Sequence, residues 1–201
     1  RLVFASSGAI YGEQPRQPVR EDAPVHPLTP YAVSKVASEQ YVLAIGALWG
    51  LETVILRIFN AYGPGQPLPP SHASVIPRFL KQATSGGSLV LFGDGRQTRD
   101  YVYIDDVVTA LVAAGQRAGI SGSIVNVGSG DEVSVLELVE AIEGVLGESV
   151  HRLHSGDEKA GVSRLVADIT LAREVLGYVP RVSICEGLRL TMARDPRFAR
   201  R

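Results

Sequence analysis

Short apolar runs, each closed by a polar residue or a glycine, recur along the chain. They are Leu2-Val-Phe-Ala5 before Ser6-Ser7-Gly8, Thr53 to Phe59 before Asn60, Leu89-Val-Leu-Phe92 before Gly93, and Ile124-Val-Asn-Val127 before Gly128. Dense in β-branched residues and poor in polar alternation, they read as strands covered on both faces. Between them the apolar spacing turns helical. Val33, Val36, Ala37, Ala44, Ala47 and Leu48 form a stripe on a helix from Tyr31 to Trp49, with Pro30 in its first turn and Thr29 as N-cap. Further helices are expected from Val75 to Thr84, from Val107 onward with Asp105-Asp106 as its cap, and from a Ser134/Glu137 capping box to Leu146. A short strand over 150–153 and helices over 171–176 and 184–193, separated by Gly177-Tyr178-Val179-Pro180, complete the pattern. Strands alternating with helices predict an α/β fold.

Two proline-rich stretches interrupt it. Residues 13–27, with Pro15, Pro18, Pro24 and Pro27, read as a surface excursion. Residues 63–74, with Pro64, Pro67, Pro69 and Pro70, mark departure from the first layer. Gly93-Asp94-Gly95 predicts a tight turn that needs positive φ. Gly128-Ser129-Gly130 is not a phosphate loop, because no third glycine and no following lysine accompany it.

Composition narrows the function. Twenty basic residues face 21 acidic ones, so no electrostatic footprint for nucleic acid exists. No apolar run is long enough to span a bilayer, and no membrane partner is expected. A single cysteine, Cys185, excludes an internal disulfide framework and agrees with a reducing cytoplasm. Histidines and acids show no metal-ligand spacing, so no metal is expected.

Candidate chemistry centres on Tyr31-Ala-Val-Ser-Lys35. One helical turn separates Tyr31 from Lys35, placing both on one face. An ammonium beside a phenol favours the phenolate and lowers a pKa that is ordinarily about 10, giving a base usable near neutrality. Lysine otherwise occurs only at Lys81 and Lys159. A half-buried aromatic beside a solvated lysine is the plain structural alternative.

The ordered set Ser6-Ser7-Gly-Ala-Ile-Tyr-Gly12, Pro30-Tyr31-Ala-Val-Ser-Lys35, Arg57-Ile-Phe-Asn60-Ala-Tyr-Gly-Pro64 and Arg96-Gln-Thr-Arg99-Asp-Tyr-Val-Tyr-Ile-Asp-Asp106 resembles the extended short-chain dehydrogenase/reductase family. Its members are the NAD-dependent nucleotide-sugar epimerases and dehydratases, and the likeness runs from residue 1 to about 195. The resemblance implies the C-terminal part of a Rossmann-type doubly wound parallel sheet (1–64 and 101–127) plus a small α/β substrate-binding domain (65–100 and 128–201). It implies catalytic roles for Ser7, Tyr31 and Lys35, and cofactor contacts from Ser6, Tyr31, Lys35 and Phe59. Phe59 as plain core is an equal reading of the residues. Substrate contacts are implied for Ser7, Tyr31, Asn60 and Arg99, with Val75, Leu91 and Phe92 around the base.

Gly8-Ala9 follow Ser7 where related dehydratases and decarboxylases carry acids, and neither residue transfers a proton. The resemblance therefore implies 4-epimerisation of a UDP-linked sugar of the glucose/galactose type, with a ketoreductase as the neighbouring alternative. A second diphosphate arginine is expected before a Gly-Asp pair. Gly156-Asp157 is present, but His154 stands in the arginine's place and Arg164 is the substitute. The family pairs the 31–49 helix with a partner subunit's, implying a homodimer, although core packing explains the same stripe. No glycine-rich NAD turn precedes residue 1, so a longer parent and an inactive isolated chain are expected. A non-catalytic ligand- or partner-binding module is the alternative of another class.

Overall fold

The computed structural model describes residues 1–69, 74–156 and 162–198. In chain order its strands are β1 (Leu2–Ser7), β2 (Thr53–Ile58), β3 (Asn60–Tyr62), β4 (Leu89–Phe92), β5 (Thr98–Arg99), β6 (Tyr101–Tyr103), β7 (Ser123–Val127), β8 (Val133–Ser134), β9 (Arg152–Ser155) and β10 (Arg164–Leu165). The helices are α1 (Pro30–Trp49), α2 (Val75–Thr84), α3 (Ile104–Gln116), α4 (Val135–Leu146), α5 (Thr170–Leu176) and α6 (Ile184–Arg194).

β2 forms the centre of a three-stranded parallel sheet in the order β1-β2-β7, with Ser6 opposite Arg57 and Arg57 opposite Asn126. Alternation along β2 gives it two faces. Val54 and Leu56 pack with Val107, Ala110 and Ala114 of α3. Thr53 and Arg57 meet α1, where a Cβ on Gly46 would stand 2.8 Å from Thr53 and where Glu39 pairs with Arg57. The sheet thus has a helix on each side, as expected of this α/β class. β1 is its edge strand, and Leu2 is exposed, so the expectation of a strand covered throughout does not hold there.

A second core gathers around β4 and β9, with Phe79 and Leu80 of α2, Leu138 and Ile142 of α4, and Leu188 of α6. Ile104 packs against both cores. The segment from Leu165 to Tyr178, expected with the second layer, packs into the first through Leu165, Ala167, Ile169, Ala172, Leu176 and Tyr178.

Local signals hold where the chemistry is local. Thr29 Oγ1 accepts from Ala32 N at 3.1 Å, and Ser134 and Glu137 form the reciprocal capping box. Gly93 and Gly95 take φ of 67° and 75°. Three expectations need correction. Asp105 and Asp106 do not cap α3, because β6 runs directly into a helix that starts at Ile104. Asp106 instead accepts from the backbone N–H groups of Arg181 and Val182, and Asp105 pairs with Arg194. The stretch over 13–27 is not a mere surface excursion: Val19 is buried, bridges Ala167, and shares its carbonyl with Asn126 and Asp168. Finally, α1 buries Ala32, Glu39, Val42 and Gly46, while Val33, Ala37, Ala44, Ala47 and Leu48 of the predicted stripe are exposed and Val36 is half-buried. Among the described residues, core packing accounts for Val36 and not for the rest of that stripe.

Candidate active site

Adjacent serines at the end of β1 point to opposite faces, as strand geometry requires. Ser6 faces α1 and donates its hydroxyl to Glu39 Oε1 at 2.5 Å. Arg57 forks onto the same carboxylate, Nε to Oε1 at 3.1 Å and Nη2 to Oε2 at 2.9 Å, and donates through Nη1 to Tyr11 OH and Glu21 O. Tyr11 donates in turn to Asn126 Oδ1 at 2.7 Å. Burial pushes the Tyr11 phenol up to about 12, against the pull of Arg57, so it remains a neutral donor. The signal for this network was an arginine inside an otherwise apolar strand, a charge that needs a buried partner.

Ser7 faces the other way. Its Oγ accepts from Ala9 N at 3.2 Å, opening a 3-10 turn over Gly8–Tyr11. Gly8 is required there: a Cβ would stand 2.9 Å from the Phe59 ring. Phe59 is buried and packs against Tyr11 with ring centroids 6.2 Å apart. Both readings of Phe59 describe it, since it belongs to the core and lines a cleft.

That cleft, about 670 Å³ and open to solvent, is lined by Ser7, Gly8, Thr29, Phe59, Asn60 and Arg99 among others. It lies at the carboxyl ends of β1 and β2, where open α/β sheets receive ligands. Asn60, whose N–H donates to Asp100 O, continues into a second cleft of about 700 Å³ with Val75, Arg78, Phe92, Gln97, Arg99 and Tyr101. Phe92 and Leu91 diverge. Phe92 lines this second cleft, whereas Leu91 is fully buried in the core of β4.

Tyr31 and Lys35 stand beside Thr29 at the head of α1. Tyr31 is 55% exposed, and Lys35 Nζ lies 5.7 Å from its ring centroid, 5.1 Å from that of Phe4, and 2.9 Å from Ala5 O. The lysine is therefore tethered to the edge strand while remaining partly exposed. Neither side chain lines the two clefts.

Arg99 enters from β5, half-buried, with Nη1 donating to Thr98 O at 2.7 Å; burial lowers its pKa. Its neighbour Asp100 is committed elsewhere, accepting from Ser129 N, Ser129 Oγ, Gly130 N and Ala167 N. Gly128-Ser129-Gly130 thus wraps a carboxylate of its own chain. Arg164 is exposed and forks onto Glu132, which it holds at about 2. His154, on β9, lies with Nδ1 3.3 Å from Gly93 O. Asp157 lies outside the described residues. Arg78 carries no motif and was not expected at the clefts, an arginine within the apolar 75–80 run being its only trace; Gln97 sits inside the Arg96–Asp106 motif but was given no role.

Among the described residues no His/Cys/Asp/Glu group is placed to hold a metal ion, and no helix is long and apolar enough to cross a membrane.

The family model described as the NAD dependent epimerase/dehydratase family matches residues 1–128. A UDP-glucose 4-epimerase of Mycolicibacterium smegmatis is 43% identical over 197 residues, covering 96% of this chain and 61% of the relative. The crystal structure of a UDP-glucose 4-epimerase from Thermotoga maritima with UDP-glucose superposes with a TM-score of 0.89 at 35% identity, covering 95% of this chain and 62% of that one. A UDP-glucuronic acid 4-epimerase from Bacillus cereus, in complex with UDP-glucuronic acid and NAD, gives 0.87 at 33% identity, covering 95% and 60%. The chain therefore spans about three fifths of the length of the proteins it resembles.

Proposed function

The chain belongs to the NAD-dependent epimerase/dehydratase family, and from that premise we propose that the full-length protein carrying it interconverts a UDP-linked sugar at C4, as a UDP-glucose 4-epimerase does. One observation carries this reading: Ser7, Phe59, Asn60 and Arg99 line a single cleft beside the head of α1, where Tyr31 and Lys35 stand. An apolar ring, a hydroxyl and the glycine that lets backbone and ring approach fit a nicotinamide at the end of β1. A nicotinamide held there would supply a reversible hydride acceptor for C4.

In this proposal the chain's own residues handle protons and position. Tyr31 takes the proton from the 4-hydroxyl and gives it back. Lys35, fixed to Ala5 O, holds a positive charge beside the phenol and stabilises the phenolate. Ser7 hydrogen-bonds the reacting oxygen. Asn60 and Arg99 hold the diphosphate, so the sugar can turn its other face while the nucleotide stays in place. Gly8 and Ala9 offer no acid or base for elimination, which favours epimerisation over dehydration. Val75 and Phe92 enclose the base, and Leu91 supports them from the core. Ser6 serves the cofactor only indirectly, through the position Glu39 gives it.

We place the cofactor side on the first core, including the segment from Leu165 to Tyr178, and the nucleotide-sugar side on the second. The exposed apolar face of α1, with Tyr41, Leu48 and Trp49 each more than 70% exposed, supports a homodimer through that helix.

The test is Tyr31→Phe in the full-length protein, assayed with UDP-glucose, UDP-glucuronic acid and UDP-N-acetylglucosamine. Loss of turnover by about 10²-fold or more with nucleotide-sugar affinity kept is expected, because only the base is removed. Wild-type turnover in that variant would refute the assignment, and the substrate profile of the wild type decides the sugar.

A further inference from the structure

Arg78 is the unexplained group of the second cleft. Val75, Arg78 and Phe79, at i, i+3 and i+4 on α2, share the face that lines this cleft, and Ile76 and Leu80 are buried in the second core. The guanidinium carbon of Arg78 lies 5.2 Å from the ring centroids of both Phe79 and Phe92. The rings hold a flat cation in one orientation. Its Nε is buried and has no hydrogen-bond partner among the described residues. Burial disfavours its charge, with no opposing carboxylate to compensate.

Three buried side-chain polar atoms among the described residues lack partners, Gln66 Oε1, Arg78 Nε and Gln82 Oε1. Gln66 and Arg78 line clefts that share Asn60. Leaving a buried donor unmade is costly, so such a donor marks a place where an acceptor arrives from outside. Arg78 and Arg99 both line the cleft, and no carboxylate lines it among the described residues. A site with that charge pattern selects an anion with several oxygens.

Neither residue expected to supply the second contact lines this cleft. Arg164 is exposed and bidentate on Glu132, and His154 faces Gly93 O. We propose that Arg78, on α2, is the second guanidinium for the diphosphate of a nucleoside-diphosphate ligand, acting with Arg99. This rests on the UDP-sugar reading above and names a residue that reading leaves without a role. Placing the cation on a helix wall flanked by rings, rather than on the loop after β9, makes the diphosphate site part of the packed second core.

The experiment is equilibrium titration of the full-length protein with UDP and, separately, with uridine, for wild type, Arg78→Ala, Arg78→Gln and Arg78→Lys. Arg78→Ala and Arg78→Gln should each weaken UDP by about tenfold or more, the loss expected for one charge-assisted contact, and leave uridine unchanged. Arg78→Lys should recover part of the loss, keeping charge without the fork. Removing a half-buried cation that no carboxylate pairs should leave the melting temperature nearly unchanged, whereas a purely structural arginine would lower it clearly and leave UDP affinity alone. UDP affinity within about twofold of wild type in the folded variants, or equal losses for UDP and uridine, overturns the inference while the proposed function stands. A wild-type protein that binds no UDP overturns both.

Discussion

Removing Glu39 should destabilise the protein more than any surface change, and the structure sets the size of the effect. The Glu39 and Arg57 side chains are 2% and 6% exposed and share two parallel hydrogen bonds. Without Glu39, Arg57 keeps only the Tyr11 hydroxyl and the Glu21 carbonyl, and Ser6 loses its acceptor. Breaking one side of a buried pair costs about 3–5 kcal/mol, because the remaining charge stays uncompensated. Against a total stability of about 5–15 kcal/mol that is a large share. For a chain of this size it corresponds to roughly 6–20 °C in melting temperature. The assay is thermal and urea unfolding of wild type, Glu39→Leu, Arg57→Leu and the double variant. The double variant should lose less than the sum of the singles, since burying neither charge removes the penalty. A loss below about 1 kcal/mol for Glu39→Leu, or strict additivity, would refute the reasoning. Function should fall with it. Glu39 lies two turns after Tyr31 on α1, so the network that ties α1 to β1 and β2 also sets where the candidate base stands relative to Ser7.

Other outcomes follow from single contacts. Leu48→Asp with Trp49→Glu should convert a dimer to a monomer by light scattering with the fold retained, because both side chains lie on the exposed face of α1; an unchanged mass would place the interface elsewhere. Glu132→Gln should cost at most about 1 kcal/mol near neutral pH, since its pair with Arg164 is exposed. Arg164 lowers Glu132 from 4.5 to about 2, so the pair's contribution is full above the upper value and fades as pH falls to the lower. The melting-temperature gap between wild type and Glu132→Gln should therefore close across that window, and a gap constant through it would mean that Arg164 does not set the titration.

What could be read from the chain is what its neighbours in sequence decide. The strands that end at Ser7, Ile58, Phe92 and Val127, the N-cap at Thr29 and the capping box at Ser134 all depend on contacts within a few residues. The face of α1 was not readable in this way. Its outer face carries Val33, Ala37, Ala44, Ala47 and Leu48, whereas the inner one holds Glu39, Val42 and two small residues, Ala32 and Gly46. Apolar spacing therefore points away from the sheet, and only the strand charge at Arg57 shows why a glutamate faces inward. The path over 13–27 was hidden for another reason: Val19 meets Ala167 from a distant part of the sequence, and no local pattern encodes that bridge.

The same distinction separates the parts of the candidate site. Tyr31 and Lys35 are legible because one helical turn joins them, and Ser7 because a strand ends there. The clefts are long-range objects, in which Asn60 from β3, Arg99 from β5 and Arg78 from α2 meet only after both cores have formed. A motif can carry Arg99 to that place, because residues around it recur in a known order. Arg78 has no motif, so its role rests on physical cost alone: a buried Nε without an acceptor, between two rings, in a cleft that no described carboxylate lines. On the proposed function, holding the nucleotide half of the ligand would thus fall to residues whose meaning depends on packing, and proton transfer to residues whose meaning is local.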